Sequence, residues 1–172
     1  ITIPLEGALE HKDSMGHGAV ICAGDIQVIS AGSGIYHSER NPRENKQVEL
    51  LQLWIFPNQQ DVIPRYDQIS IRDLKKENAF YQILSPNEND QGSWIHQNAW
   101  MSLGDFSQET KTTYAITDSG NGVYVFVIEG SIRIDGQKLN KRDALGVWDT
   151  ANINFEIEKN SRVLLIDVPL QF

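Results

Sequence analysis

The chain has 172 residues, enough for one large domain or two small ones. Its 40% hydrophobic and 22% charged residues are ordinary for a globular protein, and a net charge of -8 without a Lys/Arg cluster argues against a surface that tracks nucleic-acid phosphates. No apolar run approaches the roughly 18–20 residues of a membrane span, and the lone Cys22 excludes an internal disulfide framework and fits a reducing, cytoplasmic setting.

The chain opens ITIPLEGALEH, with no Met, no charged leader and no signal-peptide shape, directly in what reads as a strand. Such a start is expected to be a cut, or a processed or engineered end. Short apolar or alternating runs follow at Ile1–Pro4, Gly18–Ala23, Asp25–Ser30 and Val48–Phe56, separated by the turn formers Glu6-Gly7, Asp13–Gly18 and Ala23–Asp25. Pro57 cannot donate to a central ladder and closes the fourth run.

Residues 58–92 are polar, with Pro64, Pro86 and a short helix expected around Arg72–Asn78; they read as a connection between domains 1–57 and 93–172. Strand grammar returns at Trp94–Leu103, Val123–Ile128, Ser131–Ile134, Ala144–Trp148, Ile153–Ile157 and Val163–Val168, with turns at Glu129-Gly130 and Asp135-Gly136. Many short strands with regular turns predict an all-β sandwich or barrel of jelly-roll type. The two halves read as two copies of one plan.

One stretch of the first half carries chemistry. In GSGIYHSERN, His37 and Glu39 are two residues apart, and on an extended chain both side chains point to one face. That placement delivers two metal ligands; without further context, a polar turn held by local hydrogen bonds is the stronger reading. Gly32-Ser33-Gly34 lacks the strand-to-helix context and the lysine of a phosphate loop. A tight bend before the pair explains it better, because glycine tolerates positive φ.

Two motifs, G-x5-H-x-H-x3,4-E-x6-G and G-x5-P-x-G-x2-H-x3-N, mark the cupins, small β-barrels that hold a metal. The second is similar to Gly24, five residues, Ser30-Ala31-Gly32, then His37 and Asn41, with Ser30 in place of Pro and two extra residues before His37. Gly7 resembles the last glycine of the first motif; the motif's Glu would then fall one place before Ile1, and its His-x-His pair earlier still. The strings LEGALEHKDSMGHG, AGSGIYHSE, LQLWIFP, SPNENDQGSWIHQNAW, VFVIEGSIRIDGQKL and VLLIDVPL together resemble the pirin family, which are bicupins.

The resemblance implies two tandem jelly-roll cupins, the first lacking its N-terminal strands. It implies a divalent metal, typically iron, held by three His and one Glu, of which His37 and Glu39 are matched here and two histidines are not. Several members have quercetin 2,3-dioxygenase activity on a flavonol-like substrate, and the animal relative acts as a nuclear transcriptional cofactor. Glu39 would also be the base that accepts the substrate proton. With half of the ligands, the chain as given is expected to be an inactive fragment that holds no metal tightly. The second reading is a metal-dependent regulatory module that acts through a protein partner.

Bland readings are preferred for most other candidates. His11 and His17 bracket KDSMG and read as surface turn histidines, and His96 as a structural one. Cys22 in AVICAG reads as a small core residue, and Trp94, Trp100 and Trp148 as packing residues. In the second half Val123 stands where the cupin Glu would be and no histidine follows, so that half is expected to be a barrel without ligands. Uncovered ladder edges in the first half predict some self-association.

Overall fold

The computed structural model describes residues 1–171, and they form seventeen strands and no helix. Among the described residues no helix is long and apolar enough to cross a membrane. The chain divides into two compact units, one of residues 1–73 with 86–97, the other of residues 74–85 with the chain from 98 onward.

The first unit holds β1 (Thr2–Glu6), β2 (Ala8–Asp13), β3 (Gly18–Cys22), β4 (Asp25–Ser30), β5 (His37–Arg40), β6 (Glu49–Gln52) and β7 (Arg65–Ser70). A four-stranded antiparallel sheet runs β6-β1-β4-β7, and a three-stranded one runs β3-β2-β5. Ile3, Leu9, Ile21, Ile26 and Val28 are buried in this unit. β1 and β4 are buried on both faces over Thr2–Pro4 and Ile26–Val28, so these short strands are covered on each side.

Gly7, at φ +75°, joins β1 to β2, and a Cβ there would run into the carbonyl of Gln47. The expected Val48–Phe56 strand is shorter than its apolar run. Only Glu49–Gln52 pairs, and Trp54 and Phe56 beyond it are exposed. That irregular segment is held by the Gln97 amide, which donates to the Phe56 carbonyl at 2.8 Å, and by the Asn58 N–H, which donates to the His96 carbonyl at 2.7 Å.

The 58–92 stretch contributes β7, which pairs with β4, and β8 (Phe80–Ser85), which belongs to the second unit. The helix expected at Arg72–Asn78 is absent: the stretch is turn, and Asn78 has a left-handed φ of 55°. Seven residues cannot offset the cost of helix nucleation without an apolar face to pack. The Trp94–Leu103 run is likewise broken, into β9 (Ser93–Trp94) and β10 (Trp100–Phe106).

The second unit adds β11 (Thr110–Ala115), β12 (Asn121–Glu129), β13 (Ser131–Ile134), β14 (Gln137–Asn140), β15 (Ala144–Val147), β16 (Asn152–Ile157) and β17 (Ser161–Pro169). One sheet carries β15-β12-β17-β10-β8 and the other β11-β16-β13-β14. Their inner faces enclose a core of Val123, Val125, Val127, Phe155, Leu165 and their neighbours. β16 buries every second residue, Ile153, Phe155 and Ile157, as period-two burial requires. Asp135 and Gly136, both at positive φ, make the β13–β14 turn.

Candidate metal centre

β2 and β5 build the site. Along β2, alternation turns Leu9, His11 and Asp13 to the inside, and along β5 it turns His37 and Glu39 to the same side. Antiparallel pairing sets His11 opposite Glu39 and Asp13 opposite His37. Two histidines and two carboxylates therefore occupy the corners of a small block, each histidine with a carboxylate both across from it and two residues along.

Three of these residues converge. His11 Nδ1 is 3.7 Å from Glu39 Oε1, and His37 Nδ1 is 3.9 Å from the same oxygen. One donor atom from each of His11, His37 and Glu39 lies within 4.8 Å of the others, and among the described residues no other such cluster of three is formed. The His11 side chain is fully buried, that of Glu39 is 18% exposed and that of His37 is 39% exposed.

The remaining polar atoms are committed elsewhere. Gln52 Nε2 donates to Glu39 Oε2 at 3.0 Å. His11 Nε2 faces Asp13 Oδ2 at 3.2 Å. Asp13 also accepts the N–H groups of Met15 at 2.9 Å and His17 at 3.1 Å, and the His17 ring nitrogen Nδ1 at 3.1 Å. Burial pushes the Asp13 carboxyl up, but the hydrogen bonds from His11, His17 and Met15 outweigh it and hold the pKa at about 2. Tyr66 lies between two imidazoles, stacked 5.0 Å from His11 and 4.9 Å from His17. Burial raises the pKa of its phenol, which donates to Gln68 Oε1 at 2.9 Å.

Two atoms are left over. His11 Nδ1 and Glu39 Oε1 are buried and have no hydrogen-bond partner. An orphaned buried polar atom costs about 1–3 kcal/mol, and these two face one another. A cation between them satisfies both, and two imidazoles with a carboxylate are an apt donor set for a divalent transition metal.

His11 is thus a correction to the sequence reading, which placed it on a surface turn. The turn begins only at Asp13, and the alternation that buries Leu9 carries His11 inward as well. ALEHKD read as a strand is the signal that finds it. His17 is on the surface as expected, and it packs on Asp13 and Tyr66 outside the donor cluster.

The other candidates sort as follows. The His96 ring meets the Trp94 edge at 4.9 Å. Trp94 also carries the Arg65 guanidinium over its face at 4.1 Å. Trp148, expected to pack inside, is exposed beside Gly146, one residue past the end of β15. Cys22 is only partly buried, at the end of β3, where its N–H donates to Asp25. Gly32, at φ +54°, makes the bend before His37, and a Cβ there would strike the Val62 carbonyl.

His37 opens onto a cavity of about 520 Å³ within the first unit. Its wall includes Ile35, Gln52, Trp54, Phe56 and His96. Trp54 and Phe56 are 91% and 81% exposed at its edge.

Comparison with known proteins agrees with this architecture. Residues 1–55 match the family described as Pirin, and residues 82–168 match the quercetinase C-terminal cupin domain. The chain is 34% identical to a quercetin 2,3-dioxygenase of Escherichia coli over 169 residues, 98% of this chain and 71% of the relative. The chain belongs to the pirin family. This pirin is also 30% identical to a pirin-like protein of Caulobacter vibrioides, over 97% of the chain and 72% of the relative. Its backbone superposes on the bacterial pirin YhhW of Escherichia coli, solved in complex with nickel(II), with a TM-score of 0.89 and 33% identity, covering 98% of this chain and 71% of that one. The fold is accordingly a tandem of two cupins.

Proposed function

We propose that this pirin, in its complete form, is a metal-dependent dioxygenase of the quercetin 2,3-dioxygenase type, with His37 and Glu39 as metal ligands and Glu39 as catalytic base. The observation that carries the reading is Glu39. One carboxylate oxygen is fixed by Gln52, and the other is buried without a hydrogen bond beside His37 at a cavity wall. The names of the relatives support a flavonol-like substrate, and the cavity volume of about 520 Å³ lies in the roughly 300–1,000 Å³ range of small-molecule sites.

A divalent ion, iron in our proposal, supplies Lewis acidity toward a substrate hydroxyl and its neighbouring carbonyl. The chain's own residues do the rest. Gln52 holds the carboxylate plane, so Glu39 meets the substrate hydroxyl in one orientation and accepts its proton. Trp54 and Phe56 offer aromatic faces to a planar ring system, and Ile35 keeps the wall apolar.

Two of the family's histidine ligands have no counterpart in the 172 residues. We therefore propose turnover for the form that carries them and none for the chain as given. The test measures quercetin-dependent oxygen uptake by both forms loaded with iron(II), with Glu39→Gln and His37→Ala variants of each. Uptake by the longer form alone, reduced at least 100-fold in both variants, is expected. A longer form that binds the metal but leaves quercetin intact overturns the enzyme reading in favour of a regulatory module.

A further inference from the structure

We propose that His96 reads the ring hydroxyls of a flavonol-like ligand in the cavity of the first unit. Its imidazole pairs with a hydroxyl other than the one that meets Glu39. This rests on the proposed function and deepens it by assigning a specificity-determining residue.

Most polar side chains of the cavity wall are already committed. Gln52 donates to Glu39, Gln97 donates to the Phe56 carbonyl, and Thr2 is buried. His96 is different. It is half-buried in the wall, and its ring meets the Trp94 edge at 4.9 Å. Neither ring nitrogen has a hydrogen bond among the described residues. In either neutral tautomer an imidazole carries one donor and one acceptor. Both are left for whatever enters the cavity.

The ring is nevertheless held in place, by contacts that spare its nitrogens. Ser93 Oγ donates to Asp67 Oδ2 at 2.6 Å, and Asp67 pairs with Arg65 at 3.4 Å. The Arg65 guanidinium lies over the Trp94 ring at 4.1 Å, and its Nη2 donates to the Trp94 carbonyl. Trp94 is thereby fixed, and its edge sets the His96 ring. Ile95 and Gln97, on either side of His96, are both buried. A histidine kept for packing spends its nitrogens on protein partners. Here the network places the ring and leaves them free.

What those nitrogens meet is set by Phe56. The Asn58 N–H donates to the His96 carbonyl at 2.7 Å, and Gln97 Nε2 donates to the Phe56 carbonyl at 2.8 Å. Two segments of the wall are thus tied side by side. Phe56 is 81% exposed at the cavity edge, where its face takes a flat ring. A stacking face and an imidazole fastened together suit an aromatic ring that carries hydroxyl groups. A bare ring would use the face and leave the imidazole unpaired, and such a site discriminates against the analogue that lacks the hydroxyl. Because His96 is only half-buried, water replaces a lost partner, and the discrimination is that of one net hydrogen bond, about 3–10-fold.

The test uses the 172-residue chain, without oxygen, and two probes. One is quercetin; the other is unsubstituted flavonol, whose sole hydroxyl is the one assigned to Glu39. Equilibrium dialysis of the wild type should give a dissociation constant about 3–10-fold lower for quercetin. His96→Phe, which keeps an aromatic ring against Trp94, should remove that difference by weakening quercetin and leaving flavonol unchanged. His96→Gln restores a donor and an acceptor and should recover part of it. Near-ultraviolet circular dichroism reports whether each variant is folded. In the longer form loaded with iron(II), His96→Phe should raise the KM for quercetin by the same factor and hold kcat. A folded His96→Phe that weakens both probes alike, or neither, overturns this inference, as does a wild type that binds neither. Binding that depends on His96 in a longer form that leaves quercetin intact overturns the dioxygenase reading and keeps this one. Oxygen uptake indifferent to His96→Phe does the reverse.

Discussion

Asp13 shows how much one side chain can organise. Its carboxylate ends β2, accepts two backbone N–H groups of the following turn, and ties together a buried imidazole and an exposed one. Its native pKa of about 2 lies below the ordinary 3.8. A depressed carboxyl stabilises the fold fully above the unfolded value, and that contribution is lost as pH falls through the native one. Urea midpoints should therefore drop between about pH 4 and pH 2 in the wild type, and the drop should be smaller in Asp13→Asn. At pH 7 the same variant should be less stable by about 1–3 kcal/mol, because buried donors lose a charged acceptor.

The strands differ in how openly the sequence announces them. β12, a continuous apolar run, and β16, which follows hydrophobic alternation, are legible at once, as is the Asp135-Gly136 turn. β2 and β5 are not. The inward positions that alternation reserves for apolar residues are held there by His11, Asp13, His37 and Glu39, so the functional strands look like polar turns. Motif spacing singles out His37 and Glu39, whereas placing His11 beside them takes the strand register. Where backbone geometry rather than side-chain chemistry fixes an element, the sequence is again plain. Gly130 sits at φ +76°, and a Cβ there would strike Ser161. Gly130→Ala should cost about 1–3 kcal/mol in urea unfolding of the full chain.

Over the whole molecule, the two units are sustained by different means. The second has a dry apolar core around Phe155, and Phe155→Ala there should cost about 3–5 kcal/mol by denaturant titration. The first interrupts its core with buried polar groups, and atoms of His11, Gln27, Glu39 and Arg65 are without a hydrogen-bond partner there. A ligand that binds only the native state stabilises it by about 2.7 kcal/mol at one hundred times its dissociation constant. With Ni(II) at that excess, hydrogen exchange should slow most on β2 and β5, and the amides of β16 should not change.

The alternating block on β2 and β5 has one more consequence, and it concerns folding rather than binding. Period-two burial forbids a slip of one residue between paired strands but is blind to a slip of two, which keeps every side chain on its own face. Here the charges see what burial cannot. The native register sets His11 against Glu39 and Asp13 against His37. A two-residue slip one way sets His11 against His37, and the other way sets Asp13 against Glu39, putting like against like across the ladder. The four side chains that face one another across β2 and β5 thus proofread the alignment of their strands.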